Sequence, residues 1–341
     1  MRADTVGLDD PRWREFVANH PDAGPFHMPE WGQLLADSYG FEPFALTVRA
    51  TDGEIVAGVP AMSVRSLLGG RRWVSLPFSD SCELLVRPDT TVGEAVEALK
   101  EQVVASPVGE LEIRTGLPAA AGVFPVNVGY VHTLDLPSDP ADLHPNKGHR
   151  NRRNHAVRCG VDVTHGRSRE DVARFYEMHT LTRRRHGVPV QPRHFFELIW
   201  ERLLSRGHGF VATASIDGEA YAAAVYLEHN GTITAKYHAS DPRLPDKAAG
   251  YLIDWETMVY ACKAGHHTLD MGRSDLGADG LRLYKSSWGA KELPLVYTHL
   301  ADHPPSDRGG LKVGGLSRQI VRNSPPWVCR MLGEVLYRWA A

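Results

Sequence analysis

Two stretches of the sequence lie over one another. FALTVRATDGEIVAGVPAMSV (residues 44–64) and FVATASIDGEAYAAAVYLEH (residues 210–229) align with Asp52-Gly53-Glu54 against Asp217-Gly218-Glu219. Each is an apolar run, an Asp-Gly pair and a second apolar run, the pattern of a hairpin closed by a tight turn. Further on, each copy has a helical stretch and then a strand ending in a Gly/Arg turn, at Arg114–Gly116 and at Gly272-Arg273. A strand–Asp-Gly–strand unit is common by itself. Self-similarity of longer segments at so wide a spacing predicts a duplicated domain and not a solenoid, and a chain of 341 residues has room for two domains of ordinary size.

The flanking patterns give the rest of the plan. In the first copy, Pro11 to Ala36 reads as two helical pieces broken at Pro21–Pro25, and the hairpin and a Gly69-Gly70 turn follow. Helical spacing of Val92, Ala95, Val96, Leu99 and Val103 places a helix over Thr91–Ala105, and GELEIRTG and GYVHTLDL read as strands. In the second copy, Ser168 is a helix N-cap, with Glu170 and Asp171 in the first turn and Arg183 to His186 in the last, before Gly187 and Pro189. A second helix runs from Pro192 towards Gly207. A three-stranded meander turns at Asp217-Gly218 and Asn230-Gly231, and a helix covers Tyr251–Ala264. The stretch His267–Ala290 then reads as a short strand, a polar loop over Gly272–Gly280 and a short helix over Leu281–Ser287, and PLVYTHL is a last strand.

This order is mixed α/β, with an antiparallel front and a parallel helical crossover, and it matches the GNAT acyltransferase layout twice over. The expected division is a first domain over residues 1–140 and a second over 141–300 that carries most of the site, with the tail 301–341 docking on the first. In a GNAT domain the turn before the central helix carries Arg/Gln-x-x-Gly-x-Gly/Ala, whose amides hold the coenzyme A pyrophosphate. Here that turn is Lys247-Ala-Ala-Gly250-Tyr251-Leu252, with bulky residues in place of the second small one.

Composition excludes several classes. A formal net charge of −3 rules out a globally basic nucleic-acid binder, so any RNA contact must come from a local patch. Cys82, Cys159, Cys262 and Cys329 form no Cys-x-x-Cys pair and read as free thiols of a reducing compartment. No apolar leader or span is evident, so a cytoplasmic protein is expected. His144, His149 and His155 have no matching cysteine or carboxylate neighbours, and no metal site is expected.

LPFSDSC, RRNHAVRCGVDV, FYEMHTLTRRRHGVPVQPRHFF, the meander ending KYHASDP, and DMGRSDLGADGLRLYKSSWGA together resemble the Fem-type (FemAB-like) aminoacyltransferase family, over roughly Phe26 to Leu300. The most specific parts are TRRRHG-x-P and D-x-G-R…GL-x-x-YK-x-x-WGA. The resemblance implies two GNAT-like domains, no coenzyme A, and transfer of an amino acid from aminoacyl-tRNA to an amine such as that of a peptidoglycan precursor. It also implies that Lys285 polarises the acyl carbonyl and steadies the oxyanion. The long helical-hairpin arm of some tRNA-handling members has no counterpart here, and many shorter relatives act outside peptidoglycan synthesis.

Attack of an amine on an acyl ester needs a neutral nucleophile and oxyanion stabilisation, not a covalent intermediate. Asp270, Arg273, Asp275 and Lys285 are expected at one mouth, with salt-bridged surface loop the bland alternative. Asp80 is the candidate for orienting the acceptor amine or taking its proton, a turn cap being the alternative. Arg183, Arg184, Arg185 and His186 complement a helix C-terminus, but three consecutive arginines exceed that need and suggest phosphate binding, with Arg273 a second anion site. Tyr237 and Tyr284 are candidates for the acceptor cleft or for the core. Lys147, Arg150 and Arg153, in the basic run Asn146–Arg158, form either a solvated helix or an RNA-phosphate patch. The tail is a broken amphipathic helix with arginines on its polar side. Contact with a membrane surface is the alternative to docking.

Three functions remain open from sequence: an aminoacyl-tRNA-dependent aminoacyltransferase, an acyl-CoA-dependent N-acyltransferase acting on a sugar or envelope component, and a non-catalytic RNA- or precursor-binding module.

Overall fold

The structure, a computed structural model, describes residues 1–65, 70–305 and 315–339. The chain forms two compact units. One comprises Met1–Gly129, Pro294–Leu311 and Arg338–Ala341, and the other Tyr130–Leu293 and Lys312–Tyr337. Gly69, half of the expected Gly69-Gly70 turn, lies outside the described residues.

The first unit contains β1 (Arg2–Val6), α1 (Pro11–Asn19), α2 (Pro29–Tyr39), β2 (Glu42–Arg49), β3 (Ile55–Arg65), β4 (Arg71–Ser75), β5 (Leu85–Val86), α3 (Val92–Val104), β6 (Glu110–Ile113) and the start of β7 (Val123–Asp135). Strands β1 to β4 pair antiparallel in sequence order, β5 adds to β3, and β4 pairs parallel with β6 across the α3 crossover. Local chemistry sets the helix ends: Asp10 accepts from the Arg12 amide ahead of Pro11, and Thr91 caps α3 from the Glu94 amide. Buried Trp13 packs so closely on β3 that a Cβ at Gly58 would lie 2.7 Å from its ring, so only glycine fits there.

The second unit contains the rest of β7, then α4 (Lys147–Arg158), β8 (Asp162–Gly166), α5 (Arg169–His186), α6 (Arg193–Arg202), β9 (Gly209–Ile216), β10 (Glu219–His229), β11 (Thr232–Ser240), α7 (Ala249–Lys263), β12 (Thr268–Asp275) and α8 (Asp279–Ser286). Strands β8 to β11 pair antiparallel in order, and β11 pairs parallel with β12 across α7. β13 (Lys291–Ala301) follows and pairs antiparallel with β6 in the first unit through Thr298–Ala301, and α9 (Gly315–Asn323) and α10 (Pro326–Leu336) end the chain. Strand, two helices, three antiparallel strands, helix and parallel strand thus occur once in each unit, which is the duplication read from the Asp-Gly hairpins.

Four parts of the chain differ from the sequence expectation. β1 and β8 are edge strands, RADTV and DVTHG, with no buried alternating face to betray them. β12 runs on to Asp275 where a loop was expected, because Gly272 at φ 72° bends the strand without ending it. The tail packs on α5 of the second unit, not on the first. Cys329 and Gly333 of α10 and Tyr337 are buried, the Cys329 thiol lies 3.4 Å from the Val188 carbonyl, and Arg184 Nε donates to the Ser324 carbonyl at 2.5 Å. The physical reason is the cationic end of α5, whose guanidiniums meet carbonyl and hydroxyl oxygens of the tail. Residues 306–314 of the tail lie outside the described residues. Among the described residues no helix is long and apolar enough to cross a membrane.

Candidate active site

The segment after α7 builds one half of the site. In β12 Asp270 Oδ1 accepts from the Gly272 amide at 2.8 Å, an Asx turn that fixes the bend. One helix later, on α8, Lys285 is 5% exposed and its ammonium donates at 2.9 Å to both the Gly272 and Arg273 carbonyls. A buried ammonium must find such acceptors. Asp270 shapes the bend, the bend presents two carbonyls, and the carbonyls fix the cation. Arg273 itself turns to Asp275, at 2.8 Å. His132 of β7, fully buried, stands near Lys285. Its pKa is pushed down by burial, and the Lys285 charge lowers it further.

The other half is a carboxylate the sequence reading did not single out. Asp254, in the second turn of α7, is 4% exposed. Its Oδ1 accepts from the Tyr226 hydroxyl of β10 at 2.9 Å and faces His238 Nε2 of β11 at 3.2 Å. Its Oδ2 accepts from the Tyr284 hydroxyl of α8 at 2.5 Å. Burial alone would raise its pKa. The His238, Tyr284 and Tyr226 contacts outweigh burial and hold the carboxyl below its usual range. Both tyrosines are driven the other way, well above the usual phenol value, first by burial and then by the Asp254 charge. Tyr284 and Lys285 are consecutive, so α8 carries both halves. His149 of α4 closes the cluster, its ring 5.0 Å from those of Tyr251 and Tyr284 and 4.6 Å from Trp288. Burial lowers its pKa as well.

Other candidates fall elsewhere. Tyr237 precedes His238 on β11, so by strand alternation it faces the opposite side. There it packs among Phe175, His179 and Phe196 at ring separations of 5.4–6.4 Å, in the aromatic core under α5 and α6 and not beside Tyr284. Arg183 donates to the Pro189 carbonyl at 3.0 Å and to the Tyr337 hydroxyl at 2.9 Å, and Arg184 to Ser324, so these two guanidiniums hold the tail. Arg185 and His186 are exposed at the same helix end. On α4, Lys147 and Arg150 are exposed, whereas Arg153 lies over the Trp255 ring at 4.3 Å. Asp80 belongs to the first unit, half-buried, its backbone carbonyl accepting from the Tyr297 hydroxyl at 2.8 Å. Among the described residues no group of histidine, cysteine and carboxylate side chains is arranged to hold a metal ion.

A carboxylate clamped by two tyrosines and a histidine, one of those tyrosines preceding the fixed cation Lys285 in the chain, is a site suited to proton transfer in acyl transfer. The polar members are spread over β10, β11, α7 and α8, and no local motif joins them. The one sequence signal was Asp254 itself, a carboxylate directly after the apolar run Tyr251-Leu252-Ile253 at the start of a helix.

Comparison with known proteins fits this layout. Residues 146–286, from the cap of α4 to the end of α8, match the family model of the acetyltransferase (GNAT) domain. No curated protein matches the sequence. Among solved structures, FemX is similar at 14% identity over 88% of this chain and 98% of that one, with a TM-score of 0.69. A tandem GNAT protein from the clavulanic acid biosynthesis pathway is similar at 13% identity over 89% and 100%, TM-score 0.55. The C-terminal domain of a putative lysylphosphatidylglycerol synthetase from Agrobacterium fabrum is similar at 13% identity over 86% and 90%, TM-score 0.55. The fold is therefore a tandem GNAT fold. Its form is Fem-like, with the GNAT-matching half holding Lys285 and Asp254.

Proposed function

We propose that the protein is an acyltransferase that forms an amide between an amino acid carried by aminoacyl-tRNA and an amine acceptor of the peptidoglycan-precursor or small secondary-metabolite class. The observation that carries this reading is Lys285, a buried ammonium fixed by two backbone carbonyls in the domain that matches the GNAT model. A charge so held needs no reorganisation when the ester carbonyl becomes an oxyanion. In this reading Asp270 and Arg273 shape the mouth, and Lys147, Arg150 and Arg185 offer cations to RNA phosphate. The donor side is supported by α7. Where a coenzyme A loop has its second small residue stands the buried Leu252, and the neighbouring Tyr251 packs on Tyr284 at 5.1 Å and lies beneath the Arg152 guanidinium. On the acceptor side, Trp327, Met331 and Val335 form an exposed stripe along α10. It supports contact with a membrane surface, where lipid-linked acceptors lie.

The test is transfer from a mixed pool of radiolabelled aminoacyl-tRNAs in host extract. RNase-sensitive label entering a small-molecule or precursor fraction, lost in Lys285→Met, supports the reading. Transfer from acyl-CoA alone overturns it.

One observation favours an acyl-CoA donor instead: the first turn of α7 has no side-chain cap, and a Cβ at Gly250 would meet open space. If that turn receives a pyrophosphate, Gly250→Trp abolishes acetyl-CoA binding in calorimetry while the fold is kept.

A further inference from the structure

His238 is the most exposed member of the Asp254 cluster. Its side chain is 48% exposed, whereas that of Asp254 is 5% exposed. Its ring contacts are all through Nε2, to Asp254 Oδ1 at 3.2 Å and the Tyr226 hydroxyl at 3.4 Å. Nδ1 has no partner among the described residues. A carboxylate facing Nε2 selects the tautomer that carries its proton there, which leaves the Nδ1 lone pair facing outward. Burying Asp254 is costly unless the carboxylate is paired, and two tyrosines already pair it. The histidine at the surface adds to that arrangement the ability to move a proton.

We propose that His238, anchored by Asp254, is the proton acceptor for the amine nucleophile, and that its Nδ1 is where an ammonium-bearing acceptor docks. This assignment rests on the acyltransferase reading and names a residue for it. The acceptor arrives as an ammonium, R–NH3+. One N–H proton passes to Nδ1, and the freed lone pair attacks the acyl carbon to form the C–N bond. As the tetrahedral intermediate collapses, the bond from carbon to the donor's ribose oxygen breaks, and that oxygen takes the second proton lost by the attacking nitrogen, while His238 gives the first to solvent. Per amide formed, one ribose hydroxyl is regenerated and one proton is released to solvent. In the acyltransferase reading it is Lys285 that supplies the positive charge for the oxyanion of the same intermediate.

The charged and titratable groups around His238 are Asp254 from α7, Tyr226 from β10, Tyr284 from α8 and, beyond Tyr284, His149 from α4. On its own strand Lys236 lies over the Tyr237 ring, and Arg185 of α5 approaches the Ser240 hydroxyl. Asp254 is the group in contact that carries a full negative charge.

The experiment has two arms. In the first, nitrogen NMR of the full-length protein, with His238→Gln to assign the signal, reads the tautomer. The Nε2–H form is expected in wild type and a mixture in Asp254→Asn. Should Asp254→Asn fail to fold, Tyr284→Phe keeps the carboxylate and must retain the Nε2–H form. The Nδ1–H form in wild type overturns the proposal whether or not the protein is a transferase. In the second arm, His238→Gln is expected to slow transfer to an alkylamine by about 10²–10⁴-fold, the usual contribution of a positioned base. Hydroxylamine is unprotonated at neutral pH and should recover most of that loss in His238→Gln but none of it in Lys285→Met. An equal defect with both amines makes His238 structural and overturns the proposal. Absence of transfer by wild type from any donor defeats the acyltransferase reading instead, and the tautomer arm then decides whether His238 is an anchored base.

Discussion

Arg183 and Tyr337, 154 residues apart, share a 2.9 Å hydrogen bond from guanidinium to phenol, and it ties the chain's last helical turn to the end of α5. The same arginine holds the Pro189 carbonyl, so one side chain joins three segments. Burial raises the Tyr337 pKa, against the opposing pull of Arg183, so the phenol stays protonated at neutral pH.

Two variants test the clasp. A Cβ at Gly333 would overlap the Val190 carbonyl, so Gly333→Ala must lift α10 from the α5–α6 connection. Limited proteolysis should then release the tail, with a fall in melting temperature. Tyr337→Phe loses only the hydrogen bond and should cost about 1 kcal/mol. A tail equally protected in Gly333→Ala would show that α10 does not dock through this face.

Lys285→Met replaces an ammonium by a thioether of similar length. Loss of one positioned oxyanion donor typically lowers kcat by about 10²–10³-fold. The expected signature is that fall in kcat with KM nearly unchanged, measured by single-turnover transfer. Because the Gly272 and Arg273 carbonyls also lose their donor, melting must be recorded in parallel. A loss of activity matched by unfolding would make Lys285 a structural residue.

How far the sequence shows this arrangement depends on the range of each signal. The Asp52-Gly53 and Asp217-Gly218 turns were legible because a two-residue hairpin is written in adjacent residues, and the doubled fold follows from them. Ser168 and Thr91 were legible as caps or helix starts for the same reason. The Asp254 cluster was not: Tyr226, His238, Asp254 and Tyr284 come from four elements, and only the parallel pairing of β11 with β12 and the packing of α7 and α8 on them bring the four together. Arg183 and Arg184 show the converse. Their cationic run invited a phosphate reading, and besides the nearby Pro189 carbonyl the oxygens that meet them, Tyr337 and Ser324, lie 154 and 140 residues further along the chain, beyond any local pattern. The tail's docking face was misplaced because its apolar stripe names no partner.

Helix α4 gives a salt test of the RNA reading. Lys147 and Arg150 are exposed on it, and the helix contains no acidic residue. If both touch phosphate, the double change to glutamine lowers the slope of log affinity against log salt by about 1–2 for single-stranded RNA. Filter binding of uncharged tRNA at several salt concentrations reads it. An unchanged slope would assign α4 to packing on α7, where Arg153 and Arg152 already lie over Trp255 and Tyr251.

His179 predicts the acid stability. It is 4% exposed on the buried face of α5, stacked on Phe175 at 5.2 Å, with Nε2 at 3.2 Å from the Gln191 amide oxygen. Burial, with the Arg183 charge adding to it, pushes its pKa down to about 3. The folded state thus holds it neutral, while the unfolded chain takes up its proton near an ordinary histidine pKa of about 6.5. Unfolding therefore binds a proton between these two values, so stability falls as pH drops through that window and is insensitive to His179 above it. The slope is about 1.4 kcal/mol per pH unit for one such group. His179→Phe fits the aromatic surroundings and cannot be protonated. It should flatten the stability curve between pH 6 and 4, at a cost of about 1 kcal/mol at neutral pH for the unpaired Gln191 oxygen. Urea unfolding of both proteins at pH 7, 6, 5 and 4 measures it. If the two curves stay parallel down to pH 4, His179 is not the group whose protonation unfolds the second unit.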